Sequence, residues 1–191
     1  MMVRNLYAGT SGTELMGKKL GIHAFGNVGR NVARIAKGFG MDVCAYDAYC
    51  PKEVIEQAGV QAMDSVEQMY KECQFISLHL PATDETRGSI NAELIGMMPK
   101  NAVVVNSARK EIINEEELIA LMQERTDIKF VTDIQPSNAA KFEELFADRY
   151  FSTPKKMGAQ TAEANINAGI AAAKQIVDFF ENGVTKFQVN K

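Results

Sequence analysis

The residues with chemistry to offer begin with an arginine that follows an apolar run. Val103-Val104-Val105-Asn106-Ser107-Ala108-Arg109 is a β-branched stretch that turns polar and then presents a guanidinium. Such a run reads as a parallel strand buried on both faces. Ligands of open α/β sheets bind where such strands end, at the carboxyl edge, so Arg109 would meet an anion there with its planar fork of donors. A strand-end arginine also serves as a solvated ion-pair partner, and the run alone leaves both readings open.

A glycine turn near the N-terminus favours the ligand reading. Lys19 to Phe25 is a short apolar strand leading into Gly26-Asn27-Val28-Gly29, and a helical pattern follows with Val28, Val32, Ile35, Ala36 and Phe39 on one face. A dinucleotide pyrophosphate needs backbone amides at a helix N-terminus with no side chains in the way, which is why glycines recur there at G-x-G-x-x-G spacing. This chain has A-x-G-x-x-G: Ala24 stands at the tight turn, while Gly26 and Gly29 keep the close approaches. The next strand, Asp42 to Tyr46, ends in Asp47, 18 residues beyond Gly29, near the spacing at which an acid meets the adenosine ribose. A carboxylate there accepts both ribose hydroxyls of NAD and repels the 2′-phosphate of NADP. Asp47-Ala48-Tyr49-Cys50-Pro51 also reads as an ordinary turn.

The elements that must hold these residues alternate along the whole chain. After Asp47 come a short helix from Lys52 to Ala58, a weak strand at Val60-Gln61-Ala62, and a helix from Ser65 to Cys73 with Asp64 as its N-cap. Phe75 to Leu80 is a buried strand closed by Pro81. Helical turns from Asn91 to Met98 lead to the Val103 strand, and Asn114 caps a helix from Glu115 to Glu124 striped by Leu118, Ile119 and Met122. A strand from Ile128 to Thr132 ends at Asp133, a short one lies near Tyr150 to Ser152, and a long helix runs from about Thr161 to Glu181. Its inward stripe would be Ile166, Ile170, Ala173, Val177 and Phe180, with Asn182-Gly183 as its stop. Strands alternating with helices imply an α/β, doubly wound parallel sheet with right-handed crossovers.

Composition narrows the partners. The chain has 191 residues, 46% of them hydrophobic, enough for one good core, so a single domain over residues 1–191 is the default. A net charge of −3 with scattered Lys and Arg offers no basic face, which argues against nucleic acid and anionic membrane as partners. No apolar run approaches the ~20 residues that span a bilayer, and Met1-Met2-Val3-Arg4-Asn5 lacks a signal-peptide core, so a soluble cytoplasmic protein is expected. Cys44, Cys50 and Cys73 are odd in number without metal spacing, which predicts neither disulfide nor metal site.

Five blocks in order carry a family resemblance: Gly26-Asn27-Val28-Gly29-Arg30, Ile76-Ser77-Leu78-His79-Leu80-Pro81, Thr83-x-Glu85-Thr86-Arg87-Gly88, Asn106-Ser107-Ala108-Arg109, and Gly158-Ala159-Gln160-Thr161-x-Glu163-Ala164. From about Leu15 onward the chain resembles the NAD-binding half of the D-isomer-specific 2-hydroxyacid dehydrogenases, most closely their phosphoglycerate dehydrogenase branch. The resemblance implies a Rossmann fold with NAD as cofactor and a small 2-hydroxy acid as substrate. It also implies pairing of nucleotide domains into a homodimer, with residues 1–17 and 185–191 crossing toward a substrate domain that this sequence does not contain. Apolar Leu6-Tyr7 and Leu15-Met16, hard to bury in one such sheet, fit that pairing.

Roles follow from the same resemblance. Arg109 takes the position that holds the substrate carboxylate and carbonyl, and Asp133 the position beside the nicotinamide carboxamide. Cofactor contacts fall on Ala24, Gly26, Asn27, Val28, Gly29, Asp47, His79, Leu80, Pro81, Thr86, Ser107, Ala108, Asp133 and Gly158. The family's usual histidine base and its glutamate partner are both missing: Lys156, or Lys155 with one residue inserted, stands in the histidine's place, and Asp133-Ile134-Gln135-Pro136-Ser137-Asn138 has no carboxylate where the glutamate belongs. The two departures are chemically consistent. A lysine, unperturbed near ~10.4, accepts a proton only if pushed down toward ~7–8, and a partner carboxylate would push it the other way. Of the two histidines, His23 inside the first strand reads as a satisfied core residue, and His79 as a cofactor contact. The rival reading is an NAD-sensing interaction module of the corepressor type, which shares the fold and cofactor motifs without turnover.

Overall fold

The computed structural model describes residues 12–190, so Leu6 and Tyr7 lie outside it. The chain separates into two compact units, Met1–Pro154 and Lys155–Lys191. The first contains β1 (Lys19–His23), α1 (Asn27–Gly38), β2 (Asp42–Tyr46), α2 (Lys52–Gln57), β3 (Gln61–Ala62), α3 (Val66–Glu72), β4 (Phe75–Leu78), α4 (Ala92–Gly96), β5 (Val103–Asn106), α5 (Glu115–Glu124), β6 (Lys129–Thr132), α6 (Ala139–Phe146) and β7 (Tyr150–Ser152). The second contains α7 (Ala162–Asn182), capped by the Thr161 hydroxyl, which accepts from the Ala164 amide, and stopped at Gly183 in the left-handed region (φ 65°). Among the described residues no helix is long and apolar enough to cross a membrane.

All seven strands are parallel, in the order β3-β2-β1-β4-β5-β6-β7. The chain lays down β1, β2 and β3 in one direction, returns to place β4 against the free side of β1, and continues the other way. Register sorts the side chains onto two faces. Leu20, Ile22 and Ala45 join Phe25, Ala33, Ala36 and Ile55 in one core cluster, whereas Cys44, Ile76, Leu78, Val104 and Phe130 join Met69, Tyr70, Ile95, Leu118, Ile119 and Phe142 in the other. Burying a side chain such as Ile22, Ile76 or Leu78 contributes roughly 1.5–3 kcal/mol.

Several expectations are corrected. Val103 and Val105 are half-buried, whereas Val104 and Asn106 on the other face of β5 are buried. The α1 stripe is also displaced: Gly29, Ala33 and Ala36 are the buried positions, while Val28, Ile35 and Phe39 are 61%, 50% and 57% exposed. Close approach is the reason, since a Cβ on Gly29 would come 2.4 Å from the Ala24 carbonyl oxygen and 3.0 Å from Ile22 Cγ2. Only small residues fit there, so the large ones flank the contact. On α7, Ile166, Ile170, Val177 and Phe180 are exposed, not inward. The α3 cap is Ser65, whose Oγ accepts from the Gln68 amide at 3.1 Å; Asp64, one residue earlier, pairs with Lys52 instead. The Phe75 strand stops at Leu78. Helix α6 was not anticipated, although Ala139, Phe142 and Phe146, its buried face, have helical spacing. Its Phe142 ring stacks on Tyr150 at 5.0 Å.

His23, at the end of β1, is a buried core residue as read from the sequence. Its Nδ1 lies 3.2 Å from the Tyr70 hydroxyl, and its ring meets Tyr46 and Tyr70 edge-on. Burial lowers its pKa to about 4, against an opposing pull from Asp47 and with help from His79. A group whose folded pKa lies below its unfolded value of 6.5 contributes stability that is complete above pH 6.5 and is lost as pH falls toward 4. Denaturant titrations from pH 7 to pH 5 should therefore show stability falling by roughly 1–2 kcal/mol on account of His23. His23→Asn, which keeps a polar group near Tyr70 but cannot titrate, should reduce the overall slope by about half, because His79 is lowered in the same way by burial and still titrates; an unchanged slope would count against the neutral buried imidazole.

Candidate functional site

Parallel register brings the ends of the strands level. His23 pairs with Tyr46 and with Leu78, Leu78 with Asn106, and Asn106 with Thr132, which pairs in the adjoining register with Ser152 on β7 where Thr132 meets it. Backbone bonds continue one residue further: the Ala24 amide donates to Tyr46 O (2.9 Å), His79 to His23 O (2.9 Å), Asp133 to Asn106 O (3.0 Å) and Thr153 to Thr132 O (3.1 Å). The loops bearing Ala24, Asp47, His79, Arg109 and Asp133 thus leave one carboxyl edge. The change of direction between β1 and β4 is the switch point at which open α/β sheets bind ligands.

At the β1–α1 turn, Ala24 takes a positive φ of 76°, the conformation that a glycine adopts without strain and an alanine does not. Gly26 is the N-cap of α1 and offers no side chain to the helix amides. A Cβ there would meet nothing within 4 Å, so the space before the helix is open and its amides point into it. That is the cradle a pyrophosphate requires. Asn27 and Val28 are exposed at the same helix end.

Asp47 acts as a turn residue in its contacts. Oδ2 accepts from the Phe25 amide at 2.6 Å, and Oδ1 accepts from the amides of Tyr49 (2.8 Å) and Cys50 (3.0 Å). It also lines a groove of about 630 Å³ together with His23, Ala24, Tyr46, Tyr49, Leu80, Pro81 and the Thr83 to Thr86 turn. Among the described lining residues three are carboxylates, Asp47, Asp84 and Glu85, and none is lysine or arginine. A wall of that sign suits a ribose diol and disfavours an added phosphate.

On the β4 side His79 Nε2 lies 2.9 Å from Ser77 Oγ, and burial lowers the pKa of His79 to about 4. The imidazole is neutral at pH 7. Thr86, expected to touch cofactor, ties its own loop: its hydroxyl donates to Pro81 O at 2.6 Å and accepts from the Thr83 amide at 2.8 Å.

The β5 loop depends on Asn106, which is 1% exposed. Its Oδ1 accepts from the Ala108 amide at 3.0 Å and its Nδ2 donates to Arg109 O at 2.9 Å. Thr132 Oγ1 donates to Asn106 O at 3.0 Å, and Thr153 Oγ1 donates to Asp133 Oδ1 at 2.9 Å. Ser107 is half-buried, Ala108 is buried and Arg109 is exposed, with Nη1 donating to Ala108 O at 2.8 Å. The exposed guanidinium extends from a fixed backbone. Asn106, Thr132 and Thr153 were not anticipated as site residues; an amide inside an apolar run was their one signal, since a buried amide must find partners.

Lys155, Lys156 and Gly158 belong to the second unit, where all three are exposed. Among the described residues no group of three His, Cys, Asp or Glu is placed to hold a metal.

Residues 3–154 match the family model described as D-isomer specific 2-hydroxyacid dehydrogenase, NAD binding domain. D-3-phosphoglycerate dehydrogenase of Methanocaldococcus jannaschii is 38% identical over 180 residues, 94% of this chain and 34% of that protein. Hydroxypyruvate reductase of Thermotoga maritima is likewise 38% identical over 180 residues, 91% of this chain and 56% of that protein. Among solved structures, NAD+-bound 3-phosphoglycerate dehydrogenase of Entamoeba histolytica superposes with a TM-score of 0.84 at 48% identity, covering 95% of this chain and 58% of that one. The chain spans from about a third to somewhat over half of the length of these proteins. With the sheet order, the glycine turn and the strand-end loops, these matches place the chain in the D-isomer specific 2-hydroxyacid dehydrogenase family, as a member of its NAD-binding domain.

Proposed function

We propose that this chain is the cofactor half of an NAD-dependent oxidoreductase that acts on a small D-2-hydroxy acid, with 3-phosphoglycerate as the leading substrate. The observation that carries the reading is the common carboxyl edge, along which Asp47, the open helix end at Gly26 and the guanidinium of Arg109 follow one another. Similarity to phosphoglycerate dehydrogenases supports the substrate; a hydroxypyruvate reductase of equal identity defines its nearest competitor.

The chemistry supplied by NAD, when bound, is acceptance of the hydride from C2 of the hydroxy acid. Arg109 would hold the substrate carboxylate with two parallel hydrogen bonds, which orient C2 and balance charge as the hydroxyl becomes a carbonyl. Lys156, or Lys155 one residue earlier, would take the hydroxyl proton as a neutral amine. Asp133, oriented by Thr153, would hold the carboxamide, and the amides at Gly26 would receive the pyrophosphate. His79 stays neutral at pH 7.

Asp47 predicts a preference for NADH over NADPH in titration calorimetry with the 191-residue chain. Asp47→Ala should weaken NADH by ~1.5–3 kcal/mol, as expected for loss of a charged hydrogen-bond acceptor, and narrow the preference. Equal affinity of the original chain for both nucleotides would overturn the assignment.

The catalytic roles are tested in a full-length dehydrogenase carrying this chain. Lys156→Ala should lower turnover about 10²–10⁴-fold with little change in NADH affinity. Arg109→Ala should damage substrate KM and kcat together, because its pair with the carboxylate exists before and during transfer. Loss of the rise in rate with pH on the low-pH limb of the profile in Lys155→Ala instead would move the base by one residue, and no change in either lysine variant would refute a lysine base.

A symmetric homodimer is the proposed assembly, with exposed Leu15 and Met16 contributing to the contact. Sedimentation equilibrium at about ten micromolar should give the dimer mass; a monomer throughout would contradict it.

A further inference from the structure

Tyr49 presents an unusual surface: its side chain is 81% exposed, yet its hydroxyl donates to Glu85 Oε2 at 2.5 Å. The partners stand 36 residues apart, Tyr49 in the loop after β2 and Glu85 in the turn after β4. Both line the groove that Asp47, Leu80 and Pro81 also line.

Each partner sits on a braced loop. The Tyr49 amide donates to Asp47 Oδ1 at 2.8 Å, so the Tyr49 backbone is anchored on the carboxylate assigned to the ribose. The Glu85 turn is closed by Thr86, through its bonds to Pro81 and Thr83. Core packing does not account for a large ring left in water, and exposed polar bridges add little to stability. The bridge does have a geometric consequence, because it ties together loops from the two sides of β1. Tyr49 leaves the sheet from β2 and Glu85 from β4, so the bridge spans the switch point itself.

We propose that Tyr49 and Glu85 form a clasp over the groove, with the Tyr49 ring as the flat face on which the adenine of the cofactor stacks and Glu85 as the positioning residue that holds the ring. The inference rests on the dinucleotide reading of the groove and assigns two residues that reading does not use. Stacking on an aromatic ring needs a fixed plane and no particular base edge, and the phenol-carboxylate bond supplies the fixed plane. The same carboxylate holds the Tyr49 phenol above its usual pKa, by accepting a hydrogen bond from the hydroxyl and repelling the phenolate.

The test uses the full chain and three probes: NADH, ADP-ribose and nicotinamide mononucleotide. Tyr49→Ala should weaken NADH and ADP-ribose by about five- to a hundredfold, the range for losing one base stack, and leave nicotinamide mononucleotide unchanged. Tyr49→Phe keeps the ring but frees it, so a smaller loss with faster NADH release is expected. Glu85→Ala, which removes the acceptor, should behave like Tyr49→Phe, and the double variant should be no worse than either alone, because both break the same bond. Phenolate absorbance, taken as the difference between the original chain and Tyr49→Phe, should show Tyr49 titrating above an ordinary phenol, and Glu85→Ala should bring it back. NADH and ADP-ribose affinities within about twofold of the original in Tyr49→Ala would overturn the clasp, as would fully additive losses in the double variant. If the original chain binds NADH and the variants match it, the clasp alone fails; if the original chain does not bind NADH, the cofactor reading fails with it.

Discussion

Parallel pairing of β1 with β2 on one side and β4 on the other is the constraint from which the site follows. In a parallel ladder each strand starts at the same edge and stops at the opposite one, so every crossover returns the chain to the far side before the next strand begins. Six loops are thereby delivered to one edge without any of them recognising another. The reversal at β1 and β4 then separates the loops into two groups, and the gap between the groups lies in front of the α1 N-terminus. Gly29 makes this arrangement compact, because its missing Cβ lets α1 rest against Ile22 and the Ala24 carbonyl.

Around that edge the chain invests polar side chains in holding backbone. Asp47 collects three amides, Asn106 spans Ala108 and Arg109, and Thr86 closes the turn after Pro81. Each satisfies donors or acceptors that a loop leaving a sheet would otherwise expose or bury without partners. The residues that face the groove are consequently held by others, and most of the holding groups are polar residues placed at strand ends. Burial removes the charge of His23, so the groove wall it lines carries the sign of its carboxylates alone.

How much of this was legible before any coordinates depended on range along the chain. The fold class, the strand sequence, the cap at Asn114 and the stop at Gly183 are written in local patterns of a few residues. The glycine turn and its acid 18 residues on were equally readable, because one βαβ unit fixes their spacing. The α1 face was misread from hydrophobicity, which ranks Val28, Ile35 and Phe39 as core; proximity to β1 selects small residues instead and leaves the larger ones 61%, 50% and 57% exposed. Helix α6 followed a short polar segment and was passed over, although its aromatic spacing fits the Phe130 and Tyr150 rings it covers.

The sequence by itself determined which residues carry charge, which turns need glycine and which runs become strands, because those properties are local to a few bonds. Tertiary structure decided which residues meet. The Tyr49 contact with Glu85, the bond from the Thr132 hydroxyl to the Asn106 carbonyl and the setting of Asp133 by Thr153 each join loops or strand ends whose proximity arises only when register brings separate strands level. Pairing between strands is a long-range interaction, and no pattern of neighbouring residues encodes the side chain that will stand across a groove.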